Sequence, residues 1–243
     1  MQSGTPKDSK IILKEKQIFE YMNCPLRYSM KYNSNLPQAD KISIPALLEP
    51  IIQGFCLNLV NGNVHSPAWL KMRWDKCCKK YPGFLKQDKV IRGISLLVNM
   101  FNYCKENALQ VVDICSPYEI YTDLAVVRGQ LGCIAMTKNK FELVIFDAGQ
   151  KSPTQTTVDM DLKITLQCLA FKTIFSESLS GVRIIHLHTK STFNTYRIKD
   201  DYLRLKIIID NISTCIKNKL FYPRVNVLCP SCPQLMLCKS WII

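Results

Sequence analysis

Cys229, Cys232 and Cys238 stand within ten residues of one another in the stretch LCPSCPQLMLCKSW, separated by two and then five residues. A C-x2-C turn suits a metal because its short loop lets two sulfurs face one point, and a third thiolate six residues on closes the same site. A thiolate site normally wants four ligands, and zinc and an iron–sulfur cluster both accept four, so spacing alone leaves the two open. Cys24, in YMNCPLRY, is the best candidate for the fourth. It precedes a proline at a helix junction, and Cys229 and Cys232 precede prolines too. The adjacent pair Cys77 and Cys78 is the rival, but neighbouring cysteines rarely share one metal. The plain alternative is a set of free cysteines in an apolar tail. Cys56, Cys104, Cys115, Cys133, Cys168 and Cys215 lie in apolar surroundings and read as small core residues.

Composition narrows the partners. The chain has 243 residues, a net charge of +13 and 21% charged residues, enough to fold without staples. A basic balance of this kind favours a polyanion, nucleic acid before an anionic membrane surface. No apolar run reaches the roughly 18–20 residues of a membrane span, and the start MQSGTPKDSKIILKEK lacks an apolar export core. An intracellular, soluble protein with reduced thiols is expected, without a membrane partner.

The elements that position these residues follow from periodicity. KQIFEYMNCPLRYSMKYN reads as two short helices meeting at NCP, after a frayed polar tail over residues 1–10. Helices are expected from SIPALLEP, from SPAW and through KQDKVIRGISLLVNMFNYCKENAL, which makes the first ~110 residues mostly helical. VVDICSPYEIYTDLAVVRGQLGCIAMTKNKFELVIFDAGQK is rich in β-branched and aromatic residues and reads as three or four strands, broken at SP, RG and a TKNK hairpin turn. A helix over VDMDLKITLQCLAFKTIFSESL, two strands over GVRIIHLHTKSTFNTYRIK and a long helix from DDYLRL lead to the irregular cysteine tail. The expected organisation is one compact α/β unit: a helical region over 1–110, a sheet core over 111–222 and the tail over 223–243.

The setting Y-x2-CP-x-RY around Cys24, with FYP ahead of C-x2-C-x5-C at the end, resembles the iron–sulfur branch of the PD-(D/E)XK nucleases. That branch includes the CRISPR-associated adaptation exonucleases and the AddB- and RecB-type recombination nucleases. The resemblance implies a restriction-endonuclease-like core, a mixed central sheet flanked by helices. It also implies that Cys24, Cys229, Cys232 and Cys238 hold a [4Fe–4S] cluster, with Zn²⁺ as the alternative. Ligation would supply folding energy to a tail with little core of its own.

The family's site uses two carboxylates on neighbouring strands to hold Mg²⁺ or Mn²⁺, and a lysine to stabilise the nucleophile or the developing anion. RGQLGCIAMTKNKFELVIFDAGQKSP supplies the frame without the chemistry. Gly129 and Asp147 match, but Gly132 stands where the first acid belongs and Gly149 where the lysine belongs. Gln167 matches the glutamine of the following helix, with Phe171 at the usual tyrosine, and Phe55 or Cys56 occupies the place of an upstream histidine. A single carboxylate holds Mg²⁺ poorly. The escape is Lys151 reaching back along the strand face of Asp147 and Gly149, with Glu119 or Asp123 as second acid.

The leading expectation is therefore a catalytically degenerate nuclease-fold protein that binds nucleic acid or scaffolds a DNA- or RNA-processing complex, beside a helicase, polymerase or nuclease. Arg27, Lys31, Arg128 and Lys151 are its phosphate contacts by analogy. An active metal-dependent exonuclease with relocated residues and a zinc-stabilised interaction module are the alternatives. No Walker loop, serine elbow or dinucleotide fingerprint is present. His186 and His188 share a strand face with no carboxylate or cysteine beside them in sequence and read as structural, and His65 as loop. KMRWDKCCKKYPGFLK mixes cations with Trp69, Trp74 and Tyr81, which fits either a base-stacking surface or a helix with its aromatics in the core.

Overall fold

The computed structural model describes residues 10–34, 43–63, 66–81 and 86–238. His65 and nearly all of the expected polar tail lie outside them. In chain order the elements are β1 (Ile11–Lys14), α1 (Glu15–Asn23), α2 (Pro25–Tyr32), α3 (Ile44–Val60), α4 (Pro67–Lys79), α5 (Gln87–Glu106), β2 (Gln110–Asp113), β3 (Pro117–Tyr121) and β4 (Ala125–Gln130). They continue with β5 (Cys133–Thr137), β6 (Lys140–Asp147), α6 (Gln155–Asp159), α7 (Leu162–Ile174), β7 (Leu179–His186), β8 (Ser191–Thr195) and α8 (Lys199–Lys217). Two short 3-10 turns, Cys229–Ser231 and Leu235–Leu237, shape the tail.

The chain divides into two units, each assembled from segments far apart in sequence. The first comprises Met1–Lys41, Pro117–Gly129 and Lys199–Ile243. Its sheet has the order β1-β4-β3, with β1 parallel to β4. Leu13, Tyr118, Ile120, Ala125 and Val127 are buried, while Ile12, Lys14, Glu119, Tyr121 and Arg128 are exposed, the period of a sheet covered on one face. Asp210 of α8 ties down the turn between β3 and β4, accepting from Thr122 Oγ1 at 2.6 Å and the Leu124 amide at 2.9 Å.

The second unit, Ile42–Ser116 and Gln130–Ile198, carries a five-stranded sheet of order β2-β5-β6-β7-β8. The β5–β6 hairpin turns at Lys138 and Asn139, both with positive φ (51° and 59°), as expected at TKNK. β6 runs parallel to β7, joined by α6 and α7 as the crossover. Leu143 and Val144 are both buried, so β6 is covered on both faces. Val144, with Cys133 and Ala135 of β5, packs among the apolar residues of α3, α4 and α5. On α7, Phe171 packs its ring against Phe141 of β6.

Trp74 of α4 is fully buried, and its indole fills the space above Gly93 of α5. A Cβ at Gly93 would stand 2.1 Å from the ring. The indole N–H donates to Val90 O at 3.0 Å. Trp74 is therefore a core residue, and α4 is locked in rotation against α5.

The mixed α/β fold class matches the expectation, but the organisation differs. Five strands, not three or four, lie between residues 110 and 147, and Arg128-Gly129 runs inside β4 instead of breaking it. Ile11–Lys14 forms a strand within the stretch expected to be mostly helical. The boundaries expected after residues 110 and 222 do not separate the units, because β1 and the β3–β4 hairpin pair across a long stretch of chain.

Candidate functional site

The cysteine tail folds on a period of three. The amide of Cys229 donates to Asn226 O, Cys232 to Cys229 O, Leu235 to Cys232 O and Cys238 to Leu235 O, at 2.9–3.2 Å. Side chains three apart eclipse one another in such turns. The backbone is extended at Cys232 and Cys238, which end the two short turns, so the run Asn226, Cys229, Cys232, Leu235 and Cys238 is a chain of separate turns. All five line one cavity of the first unit.

Cys24 lines the same cavity. It joins α1 to α2 in an extended conformation (φ −163°, ψ 110°) because Pro25 disfavours helical geometry at the residue before it. The remaining walls are largely apolar, with Leu26, Met30, Val225 and Leu228 among them, and Arg27 brings a cation to the rim. The Asn226 amide donates to Cys229 Sγ at 3.3 Å. Cys232 Sγ lies 3.6 Å from Gln234 Oε1. Among the described residues, no group of three or more His, Cys, Asp or Glu stands close enough to hold a metal ion. The four thiols share a cavity without converging on one point.

Hydrogen bonds fasten the tail to the α1–α2 junction. Tyr21 Oη donates to Leu220 O (2.6 Å), the Leu26 amide to Tyr222 O (3.0 Å) and Arg224 Nη1 to Met22 O (2.6 Å). Asn226 Nδ2 donates to Asn23 O at 2.8 Å and to Arg224 O at 3.0 Å, while its Oδ1 accepts from the Leu228 amide at 2.8 Å. One amide thus joins the residue before Cys24 to the turn that carries Cys229. Asn226 was not singled out in the sequence; its place three residues ahead of Cys229 is the signal that marks it.

The acid site of the second unit is closed by its own backbone. Asp147 ends β6, and its Oδ1 accepts from the Gly149 amide at 2.8 Å. A Cβ at Gly149 would stand 2.9 Å from that oxygen, so a side chain at the lysine position would displace the Asp147 carboxylate from this arrangement. Lys151 is exposed and lies beyond the end of the strand, so the expected shared strand face with Asp147 does not form. At the first acid position, a Cβ on Gly132 would meet Leu143 Cδ1 at 3.3 Å and Gln167 Oε1 at 3.5 Å. Gln167 is a tether of the β4–β5 connection and not a plain surface residue: Gly132 N–H donates to its Oε1 (2.7 Å), and its Nε2 donates to Gln130 O (3.2 Å). Phe55, Cys56 and Phe171 are buried core residues.

Glu119 and Asp123, the proposed substitute acids, belong to the first unit. Glu119 accepts from Tyr121 Oη at 2.5 Å and from Arg128 Nε at 2.7 Å, and these bonds hold its carboxyl below the usual range. Gly129 makes room for the Tyr118 hydroxyl, which donates to Glu15 Oε2 at 2.7 Å.

His186 does have a carboxylate nearby, contrary to the sequence reading. The parallel register sets it opposite Asp147, and its Nε2 lies 3.9 Å from Asp147 Oδ2. Its Nδ1 accepts from the Thr189 amide at 3.4 Å, which leaves the ring hydrogen on Nε2, directed to Gly149 O at 3.1 Å. Fully buried and satisfied, His186 is structural. His188 follows in the turn and accepts from Arg92 Nε at 2.9 Å; burial first and the Arg92 charge second hold its pKa below the ordinary value.

The four expected phosphate contacts do not form one group. Lys31 is buried, and its ammonium bonds Glu20 Oε1 at 2.8 Å, so it serves the interior of the first unit. Arg27 lines the thiol cavity, Arg128 is paired with Glu119, and Lys151 lies in the second unit.

No family model matches the chain, and no curated protein matches it in sequence. Among solved structures, it is similar to a protein from Eubacterium rectale provisionally named an exonuclease, at 11% identity and a TM-score of 0.54. The match covers 93% of this chain and 87% of that one. The fold is nuclease-like. At this identity the likeness speaks for the fold alone, and the resemblance to the iron–sulfur branch rests on the cysteine pattern. Among the described residues, no helix is long and apolar enough to cross a membrane.

Proposed function

We propose that this nuclease-like chain is a catalytically degenerate PD-(D/E)XK protein that binds nucleic acid or scaffolds a DNA- or RNA-processing complex, beside a helicase, polymerase or nuclease. The observation that carries this reading is the state of Asp147. It is the one matched acid, its carboxylate is engaged by the Gly149 amide, and glycines occupy the positions of the first acid and the lysine. Mg²⁺ or Mn²⁺ binding needs several oxygen ligands and phosphoryl chemistry needs a charge-stabilising group, and this arrangement supplies neither.

In the same reading, Cys24, Cys229, Cys232 and Cys238 hold a [4Fe–4S] cluster. Four thiols on one largely apolar cavity fit that group. A single zinc draws its sulfurs to about 2.3 Å from one centre. A [4Fe–4S] cluster takes four cysteine thiolates as well, so the bound metal itself separates the two. Such a cluster would supply ligation energy to the tail, and the Asn226 amide would stabilise the Cys229 thiolate.

The test incubates labelled single- and double-stranded DNA with the chain and Mn²⁺ or Mg²⁺. Binding that weakens with salt, without degradation, is expected. Degradation that disappears in Asp147→Ala would overturn the degenerate-site reading in favour of an active exonuclease. Absence of binding at low salt would leave an interaction module.

A further inference from the structure

We infer that α4 is the surface that grips nucleic acid, through the phosphate backbone of a duplex. The inference rests on the nucleic-acid reading above and deepens it. Leu70 and Trp74 are fully buried on one side of α4, and the seat of Trp74 over Gly93 fixes the rotation of the helix. At 100° per residue, Arg73, Lys76 and Lys79, together with Lys80 just beyond the helix end, then fall on the outer face and one flank, and all four are exposed.

Asp75 is the one acid in the helix, and among the described residues none of the four cations has a carboxylate partner. Lys76 and Lys80 stand at i and i+4, where like charges destabilise a helix. The helix dipole favours cations in the last turn, which accounts for Lys76, Lys79 and Lys80 but not for Arg73 about a turn ahead of them. The guanidinium of Arg73 lies 5.6 Å from the Trp69 ring centre, which restrains it on this face.

From Arg73 to Lys80 is about 10 Å of helix, a length over which one strand of a duplex carries roughly three phosphates. The aromatics of the segment are not offered for stacking: Trp74 is buried, Trp69 is covered by Arg73, and Tyr81 packs against the core. Single-strand binders combine cations with free aromatic platforms, so this face suits a duplex backbone.

The test is a salt titration of duplex binding by the full chain and by a variant carrying Lys76→Gln, Lys79→Gln and Lys80→Gln. A second variant carries Lys105→Gln, Lys138→Gln and Lys140→Gln, also exposed, and removes the same charge elsewhere. Unchanged melting of both variants establishes that each is folded. The α4 variant should lower the slope of log K against log salt by about 2 to 3, and the control by less than about 1. Equal slopes for all three proteins, or equal losses in the two variants, would overturn the assignment to α4 while leaving nucleic-acid binding standing. No duplex binding by the unaltered chain would overturn both readings. Tight binding to vesicles containing phosphatidylserine without binding to duplex would overturn the choice of nucleic acid.

Discussion

Two regions of the molecule, one in each unit, are held differently. In the first unit, four thiols and a turn of period three surround one cavity, and the hydrogen bonds of Asn226 and Arg224 hold its two sides together. In the second unit, Asp147 is bound to the chain itself through the Gly149 amide, and glycines stand at positions 132 and 149. A site that supports the fold resists loss, because its removal destabilises the whole protein. A site that only performs chemistry can be filled in at little cost to stability.

This contrast breaks most readily at Cys24. Cys24→Ser should abolish metal retention and lower the melting stability by on the order of 5 kcal/mol, read by parallel thermal denaturation and metal analysis. Asp147→Ala, the matching change in the other unit, should cost only about 1 kcal/mol. If the two changes cost the same, the two sites do not differ in structural importance.

Alkaline pH probes the second unit through thiols that hold no metal. Burial pushes the Cys104 thiol up to about 12, from an ordinary value of 9.0. A hydrogen bond with Cys133 and burial push Cys56 in the same direction. A folded pKa above the unfolded one stabilises the fold fully below the unfolded value, and that stability is lost as pH rises through the folded value. Urea denaturation should therefore be flat in this respect up to about pH 8 and weaken by roughly 1.4 kcal/mol per pH unit through Cys104 between about pH 9 and about pH 12, with Cys56 acting in the same direction. Cys104→Ala should flatten that slope.

Gln167→Ala sharpens the claim that this side chain is a tether. Loss of two hydrogen bonds to the backbone of the β4–β5 connection should cost about 1–3 kcal/mol and speed amide exchange at Gly132, with no change in nucleic-acid binding. Asn226→Ala should have the smallest global effect, about 1 kcal/mol. Its signature is local: faster exchange over residues 222–229 and faster alkylation of Cys24 and Cys229 in the metal-free chain. Unchanged exchange there would mean that the tail needs metal alone to dock.

Much of this was legible in the residues. Cys-Pro at position 24 marked a helix junction because proline restricts the residue before it, and TKNK marked the β5–β6 turn because Lys138 and Asn139 both need positive φ. The three tail cysteines reach one cavity through successive turns closed by i to i+3 hydrogen bonds, and Cys24 lines it from the α1–α2 junction. The partnership of β1 with β4 was not legible, because four residues of alternating burial carry little periodic signal and their partner is more than a hundred positions away. His186 beside Asp147 was hidden for the same reason: only parallel register across a crossover brings them level. The interior pairing of Lys31 with Glu20 runs against the usual exposure of lysine, which a count of charges does not detect.

The most direct test of the account is the metal content of the chain purified without oxygen. About four irons and four acid-labile sulfides per chain, with broad visible absorption lost in Cys24→Ser, are predicted. A colourless protein with stoichiometric zinc, or one with no metal and undiminished stability, would contradict the cluster-held tail on which the comparison rests.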